Sequence, residues 1–190
     1  LFDELDTAGK SVLITDHAYA PAWDESAVSG RFCVQFMCFE RERGERVRQW
    51  WQDRCIEWCF DRAEDGKFGD QKYLDDWPER FPDEVHVLQQ TELTLAPWNA
   101  TRFPYGNGVF WHFQALRLQR RGRGLFADFG AYDLPRPTRR YVYDPYRKDL
   151  GAAIDTMAKI GIDARPQGTT SLKRRLKGLF KETGGWVTAD

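Results

Sequence analysis

Between Arg31 and Phe39 the chain reads Arg31-Phe32-Cys33-Val34-Gln35-Phe36-Met37-Cys38-Phe39, apolar at all but two positions. A run of this kind, without polar alternation, predicts a central strand buried on both faces. Such a strand needs a layer above and a layer below it, which directs the chain toward a mixed α/β fold. A covering helix follows at once. From Glu45 to Arg62, Val47, Trp50, Trp51, Cys55, Trp58 and Cys59 recur at helical spacing and predict an amphipathic helix. Upstream, Ser11-Val12-Leu13-Ile14 reads as a buried strand that ends in the polar Thr15-Asp16-His17.

Gly66-Lys67-Phe68-Gly69 breaks the helical pattern, and Asp70 then stands where an N-cap belongs. Tyr73, Leu74, Trp77 and Phe81 give a second apolar stripe, with Pro78 expected to limit that helix. Val85 to Leu88 predicts a short strand, and Leu93 to Asn99 an extended segment ending in a turn. Val109 to Phe113 predicts another strand, read as central. From Arg139 to Ile162 the pattern is helical and is punctuated by Pro145, and a short basic helix is expected from Ser171 to Phe180. The predicted order is a mixed sheet with flanking helices, without the G-x-G-x-x-G or P-loop of a dinucleotide fold or an NTPase. The reading assigns one domain to 1–165 and a basic helix and tail to 166–190.

With 190 residues and a formal net charge of −1, the chain has the size of one domain and no global field that would draw it to nucleic acid. No apolar run approaches the ~18 residues of a membrane span. The opening Leu1-Phe2-Asp3-Glu4-Leu5 reads as a helix entered partway, so the sequence is expected to be a piece of a longer protein. Cys33 and Cys38, five apart in a strand, are expected to face opposite sides, and Cys55 and Cys59 to share a helix face as small core residues. That spacing argues against a metal or disulfide set, and free thiols without an export signal suggest a reducing cytoplasm.

Three segments carry a resemblance: Glu64 to Pro78 with its Gly69-Asp70-Gln71 and Tyr73-Leu74, then Leu95-Ala96-Pro97-Trp98-Asn99, then Val109 to Phe113. With Leu13 to His17 and the strand Phe32 to Phe39, they resemble bacterial glycosyltransferase-like proteins of the nucleotide-diphospho-sugar transferase (GT-A) fold. The resemblance runs from about Leu1 to about Arg120. It implies the C-terminal, acceptor-side part of such a fold, a nucleotide-sugar donor and a divalent metal, manganese or magnesium. An Asp-x-Asp is absent here, and Asp75-Asp76, adjacent on a helix, would diverge by about 100°. The metal and nucleotide machinery is therefore expected to lie mostly outside this chain.

Within the resemblance, Asp70 and Gln71 correspond to the pair beside the donor sugar. A carboxylate there suits a sugar that gains oxocarbenium character, and Asp70 serves equally as a plain helix cap. His112 is either a core residue of its strand or a metal ligand or phosphate contact. Trp98 and Asn99 are expected in an exposed turn as donor or acceptor contacts, and His17 closes a strand at a ligand-prone loop. His86 reads as structural. Arg117, Arg120, Arg121 and Arg123 read as a solvated edge. The expected reaction moves a sugar from a nucleotide diphosphate to a glycan or lipid-linked acceptor, the alternative being a non-catalytic glycan- or protein-binding module of the same fold. The basic face of 171–181, with Leu172, Leu176, Leu179 and Phe180 opposite, is either a docked terminal helix or a peripheral contact to the inner membrane face.

Overall fold

The computed structural model describes residues 1–106, 108–121, 124–166 and 184–187, and these are mixed α/β. The chain divides into two units, Leu1–His112 and Phe113–Asp190. The first contains α1 (Phe2–Ala8), β1 (Val12–Asp16), the single turn α2 (Ser26–Ser29), β2 (Phe32–Phe39), α3 (Glu45–Glu57), the short α4 (Trp77–Arg80), β3 (Val85–Val87), β4 (Thr94–Leu95) and β5 (Phe110–Trp111).

The centre of the three-stranded sheet is β1, whose Val12, Leu13 and Ile14 are fully buried. It runs antiparallel to β2 and parallel to β3. The apolar run of β2 is thus an edge strand, not the central one its composition suggests. A bulge explains the pattern. Leu13 pairs with Cys38 but Thr15 pairs with Cys33, so a two-residue step on β1 faces a five-residue step on β2. Phe32, Val34, Met37 and Phe39 all join the cluster under α3, while Phe36 and Cys38 join Leu5 of α1, Leu13 and Leu88 on the other side. Both faces of the edge strand are covered, and the offset breaks the strict alternation on which the opposed placement of Cys33 and Cys38 rests. The buried Thr15 hydroxyl lies 3.3 Å from each of the Cys33 and Phe36 carbonyl oxygens. It supplies a donor inside the bulge, where the ladder is interrupted.

The α3 helix stops at Glu57 rather than Arg62, because Trp58 turns extended and its carbonyl accepts the Tyr73 hydroxyl at 2.8 Å. Cys59 consequently lies beyond the helix and is exposed. Asp70 caps no α-helix. A 3-10 turn over Lys72–Asp76 follows it and runs into α4, and Pro78 sits in the first turn of α4 instead of ending it. Proline is tolerated there because a first-turn N–H has no helical acceptor. Asp75 and Asp76 do diverge, one toward Lys72 and the Arg31 amide, the other toward Arg80. Segment 109–113 contributes only the two residues of β5, paired in parallel with β4 and not central to a sheet.

The second unit contains β6 (Arg117–Arg121), β7 (Gly124–Asp128), the turn α5 (Arg136–Thr138), α6 (Asp144–Lys159) and β8 (Gly184–Val187). Its sheet is antiparallel in the order β6-β7-β8. Residues 184–187 therefore belong to a sheet, although the sequence reads as a tail from 166 onward. A π-helical turn over Arg139–Tyr143 leads into α6, and Pro145 occupies the first turn of α6. Tyr143 is fully buried between Phe113 and Phe129, at ring separations of 5.2 and 4.4 Å. The expected basic helix of 171–180, and Arg123, lie outside the described residues.

Trp77 holds the first unit's larger core together. It is fully buried and meets Phe39, Trp51 and Phe81 edge-on at 6.2, 6.3 and 6.4 Å. Truncating a buried ring of this size costs about 3–5 kcal/mol through lost transfer energy and the cavity left behind. Urea denaturation of Trp77→Ala should show a loss in that range. A loss under about 1 kcal/mol would remove Trp77 from the centre of the core.

Candidate functional site

Three short strands end at one place. His17 follows the last residue of β1, Pro97-Trp98-Asn99 follow β4, and His112 follows β5. The Trp98 ring lies 5.1 Å from His17 and 5.5 Å from His112, and His17 stacks on Tyr19 at 4.5 Å. The backbone there is tied as tightly as the rings. The His17 carbonyl accepts from Trp98 Nε1 at 2.8 Å and from Asn99 Nδ2 at 3.2 Å. Asn99 Nδ2 also reaches the Thr94 carbonyl at 3.1 Å, and its Oδ1 accepts the Ala96 N–H at 2.9 Å. The Ala20 N–H donates to the Trp98 carbonyl at 2.9 Å.

This geometry assigns each residue its local task. Asn99 is fully buried and its amide closes the 3-10 turn Pro97–Asn99 around the end of β1. Trp98 is 5% exposed, so it lies in the interior rather than in the exposed turn expected from the sequence. Between His17 and Tyr19, Ala18 takes a left-handed φ of 48°. A non-glycine residue there stores on the order of 1–3 kcal/mol. The Asp16 carboxylate stabilises the bend, accepting the Ala18 N–H at 2.7 Å and pairing with Arg31 Nε at 2.8 Å.

Histidine 17 is itself buried. Its N–H and its Nδ1 both approach the Arg31 carbonyl, at 3.0 and 3.1 Å. An Nδ1–H tautomer satisfies that contact. Burial holds the imidazole below its usual range, against the Arg31 carbonyl and the charges of Asp16 and Asp75, which favour the proton. The ring is neutral at pH 7.

Asp70 and Gln71 lie in a second cluster on the α3 side. Gln71 Nε2 donates to the Ser29 carbonyl at 2.9 Å, and the next residues, Gly30 and Arg31, are those that His17 contacts. Gly30 has a φ of 98°, and a Cβ there would come within 3.0 Å of Asp75 Oδ1, so the Ser29–Arg31 link requires glycine. The Asp70 side chain borders an open groove of about 410 Å³ with Arg48, Trp51, Gln52 and Cys55. That groove does not include His17, Trp98, Asn99 or His112. Burial, and secondarily the Asp70 charge, push the Cys33 thiol up to about 12. Through its contact with Arg31, whose amide donates to Asp75 at 2.8 Å, the β1 terminus is linked to the segment that carries Asp70.

Sequence reasoning overlooked Tyr19, Arg31 and Asp75, which join these clusters through contacts between distant parts of the chain. His86 pairs with Glu4 at 2.7 Å, remote from either cluster, and ties β3 to α1. Among the described residues, no group of three or more His, Cys, Asp or Glu side chains is disposed to hold a metal ion. The side chains described here therefore do not by themselves make a cation shell around His112. No described helix is long and apolar enough to cross a membrane.

The chain is similar to two uncharacterized proteins of Bacillus subtilis (strain 168). YfnD is 32% identical over 134 residues, 62% of this chain and 42% of the relative. YfnF is 30% identical over 124 residues, 64% of this chain and 39% of the relative. The chain thus spans about two fifths of the length of these relatives. No family model matches it, and no solved structure does.

The lowered proton affinity of His17 carries a sign. A base buried neutral contributes stability above its unfolded value of about 6.5, lost as pH falls from there through the depressed folded value. Below about pH 6.5 the protein should lose stability with a His17 component of up to ~1.4 kcal/mol per pH unit. Urea titrations of wild type and His17→Asn from pH 8 to pH 5 check this. The variant should lack that component, and parallel curves would contradict the assignment.

Proposed function

We propose that this chain is the acceptor-side part of a sugar-nucleotide-dependent glycosyltransferase of the GT-A type. It would move a sugar from a nucleotide diphosphate to a glycan or lipid-linked acceptor in the cytoplasm, with no nucleic-acid partner. One observation carries the reading: His17, Trp98 and His112 gather beyond the carboxyl ends of β1, β4 and β5, with Asp70-Gln71 tied to the same loop through Ser29. In open α/β sheets, ligands bind outside the carboxyl ends of the strands.

The roles follow from the charges such a transfer creates. The leaving diphosphate accumulates negative charge, which a divalent cation neutralises when one is bound. The sugar gains positive character at its anomeric carbon, and a carboxylate such as Asp70 stabilises it. Trp98 and Asn99 then act by shaping the site rather than by touching sugar, since both are buried and their polar groups hold backbone. Manganese or magnesium reaches this chain through His112 only if residues elsewhere, or the diphosphate itself, complete its shell. The membrane contact inferred for 171–181 remains part of the proposal on sequence grounds alone.

A second reading, a non-catalytic glycan- or protein-binding module, is favoured by the lack of a metal-competent group among the described side chains. One experiment separates the two. Full-length protein should turn over a nucleotide sugar, and Asp70→Asn should lower turnover at least ~10-fold, or ~1.4 kcal/mol of transition-state stabilisation. Equal turnover by the variant would remove Asp70 from the chemistry, and no turnover of UDP- or GDP-sugars by wild type would favour the module.

A further inference from the structure

Two thiols beside Asp70 have no task in the transfer proposed above. Cys55 stands on the last turn of α3 and is half-buried, and Cys59 follows two residues after the helix ends and is exposed. Both line the same groove of about 410 Å³, whose wall also includes Trp51, Ile56 and Asp70. The two side chains interact with one another, and each acts on the Tyr73 hydroxyl. The remaining cysteines, Cys33 and Cys38, belong to β2.

The end of α3 explains how the two sulfurs come to share a wall. In a continued helix Cys59 would stand one turn above Cys55 on the same face. Instead Trp58 turns extended, while its N–H still donates to the Arg54 carbonyl at 2.9 Å. The chain is then pinned on both sides of Cys59. The Trp58 carbonyl accepts the Tyr73 hydroxyl at 2.8 Å, and the Phe60 carbonyl accepts the Gly69 N–H at 3.0 Å. Cys59 is held at the helix end and remains open to solvent.

The thiols are not equivalent. Burial pushes the Cys55 thiol up to about 12, helped by the charge of Cys59, the charge of Asp70 and hydrogen bonding with Cys59. Cys55 is therefore protonated at neutral pH and a poor first nucleophile. The exposed Cys59 is the sulfur that a reagent in solution reaches first. A thiolate at Cys55 is disfavoured by its apolar surroundings and by the Asp70 carboxylate, whereas a disulfide carries no charge.

We propose that Cys55 and Cys59 form a thiol–disulfide exchange site, which takes a low-molecular-weight disulfide such as oxidised glutathione and closes to an intramolecular bond. The Cys59 thiolate attacks one sulfur of glutathione disulfide, whose S–S bond breaks and releases one glutathione thiolate. Cys55 gives its proton to solvent and displaces the second glutathione from Cys59, forming the Cys55–Cys59 bond. The two protein thiols lose two electrons, and one glutathione disulfide becomes two glutathione thiols. The closed ring spans only Ile56, Glu57 and Trp58 at a helix end. Strained or exposed disulfides of this kind are the readily reduced ones, so the bond is a reversible modification that suits a reducing compartment. Closing it draws the segment 58–60 onto α3 and reshapes the wall next to Asp70. Its bearing on sugar transfer rests on the glycosyltransferase reading, whereas the bond itself does not.

The test equilibrates this chain with excess oxidised glutathione, quenches it with iodoacetamide, and reads intact mass and peptide maps. A Cys55–Cys59 bond should form and be fully reversed by dithiothreitol. Cys55→Ser should stop at a glutathione adduct on Cys59. In Cys59→Ser, Cys55 should react at least ~10-fold more slowly than Cys59 does in Cys55→Ser, because its thiol is buried and protonated. In wild type, and in neither serine variant, oxidation should shift the Trp51 indole N–H in a ¹⁵N spectrum, since that group donates to the Asp70 carbonyl at 2.8 Å. Glutathione adducts on both cysteines without the bond, a bond to Cys38 instead, or thiols that stay free under excess would overturn the site. A bond that forms in full-length protein without sugar transfer would keep the site and remove the transferase reading. Sugar transfer by a protein whose two thiols never join would do the reverse.

Discussion

The carbonyl of His17 is the point on which the candidate site depends. It receives two side-chain donors, the Trp98 indole and the Asn99 amide, both from a turn more than eighty residues away. The Asn99 amide also binds the Thr94 carbonyl and the Ala96 N–H, so one buried side chain closes the turn and anchors it to β1. Buried polar groups left without partners cost about 1–3 kcal/mol each, and this arrangement leaves the Asn99 amide satisfied at both ends. His17, Tyr19, Trp98 and His112 are brought together because that junction is rigid. The left-handed backbone at Ala18 is carried by the same ties.

Electrostatics divides the region in two. At the strand ends the site is aromatic, with His17 held neutral by burial and the Asp16–Arg31 pair at its margin. On the α3 side, a carboxylate borders a groove of indole and protonated thiol. The loop Ser29–Arg31 joins them, touching Gln71 from one side and His17 from the other.

What could be read from the sequence follows from how local each signal is. The α3 helix, β1 and the short β3 are legible because their signals are local: a helical period in α3, and short apolar runs in β1 and β3, with β1 buried on both faces. The β2 run misleads, since a bulge and cover from both α1 and α3 make an edge strand as apolar as a central one. Proline misleads at position 78, which opens the short α4 instead of limiting a helix, whereas the helical spacing read after Pro145 is present as α6. Of the candidate residues, His17, Trp98, Asn99 and His112 do meet, although no periodicity links residues 17, 98 and 112. Their meeting depends on the parallel pairing of two-residue strands, which leaves almost no sequence trace. Arg31, Asp75 and the wall of the groove were not legible as site residues, because their partners lie on other elements.

Hydrogen–deuterium exchange of the full-length protein, with and without a saturating nucleotide sugar and manganese, addresses the central claim most directly. Exchange should slow in the segments 17–20, 69–72 and 96–99, which surround the strand ends and Asp70. Protection confined to other parts of the protein, with these three segments unchanged at saturation, would contradict it.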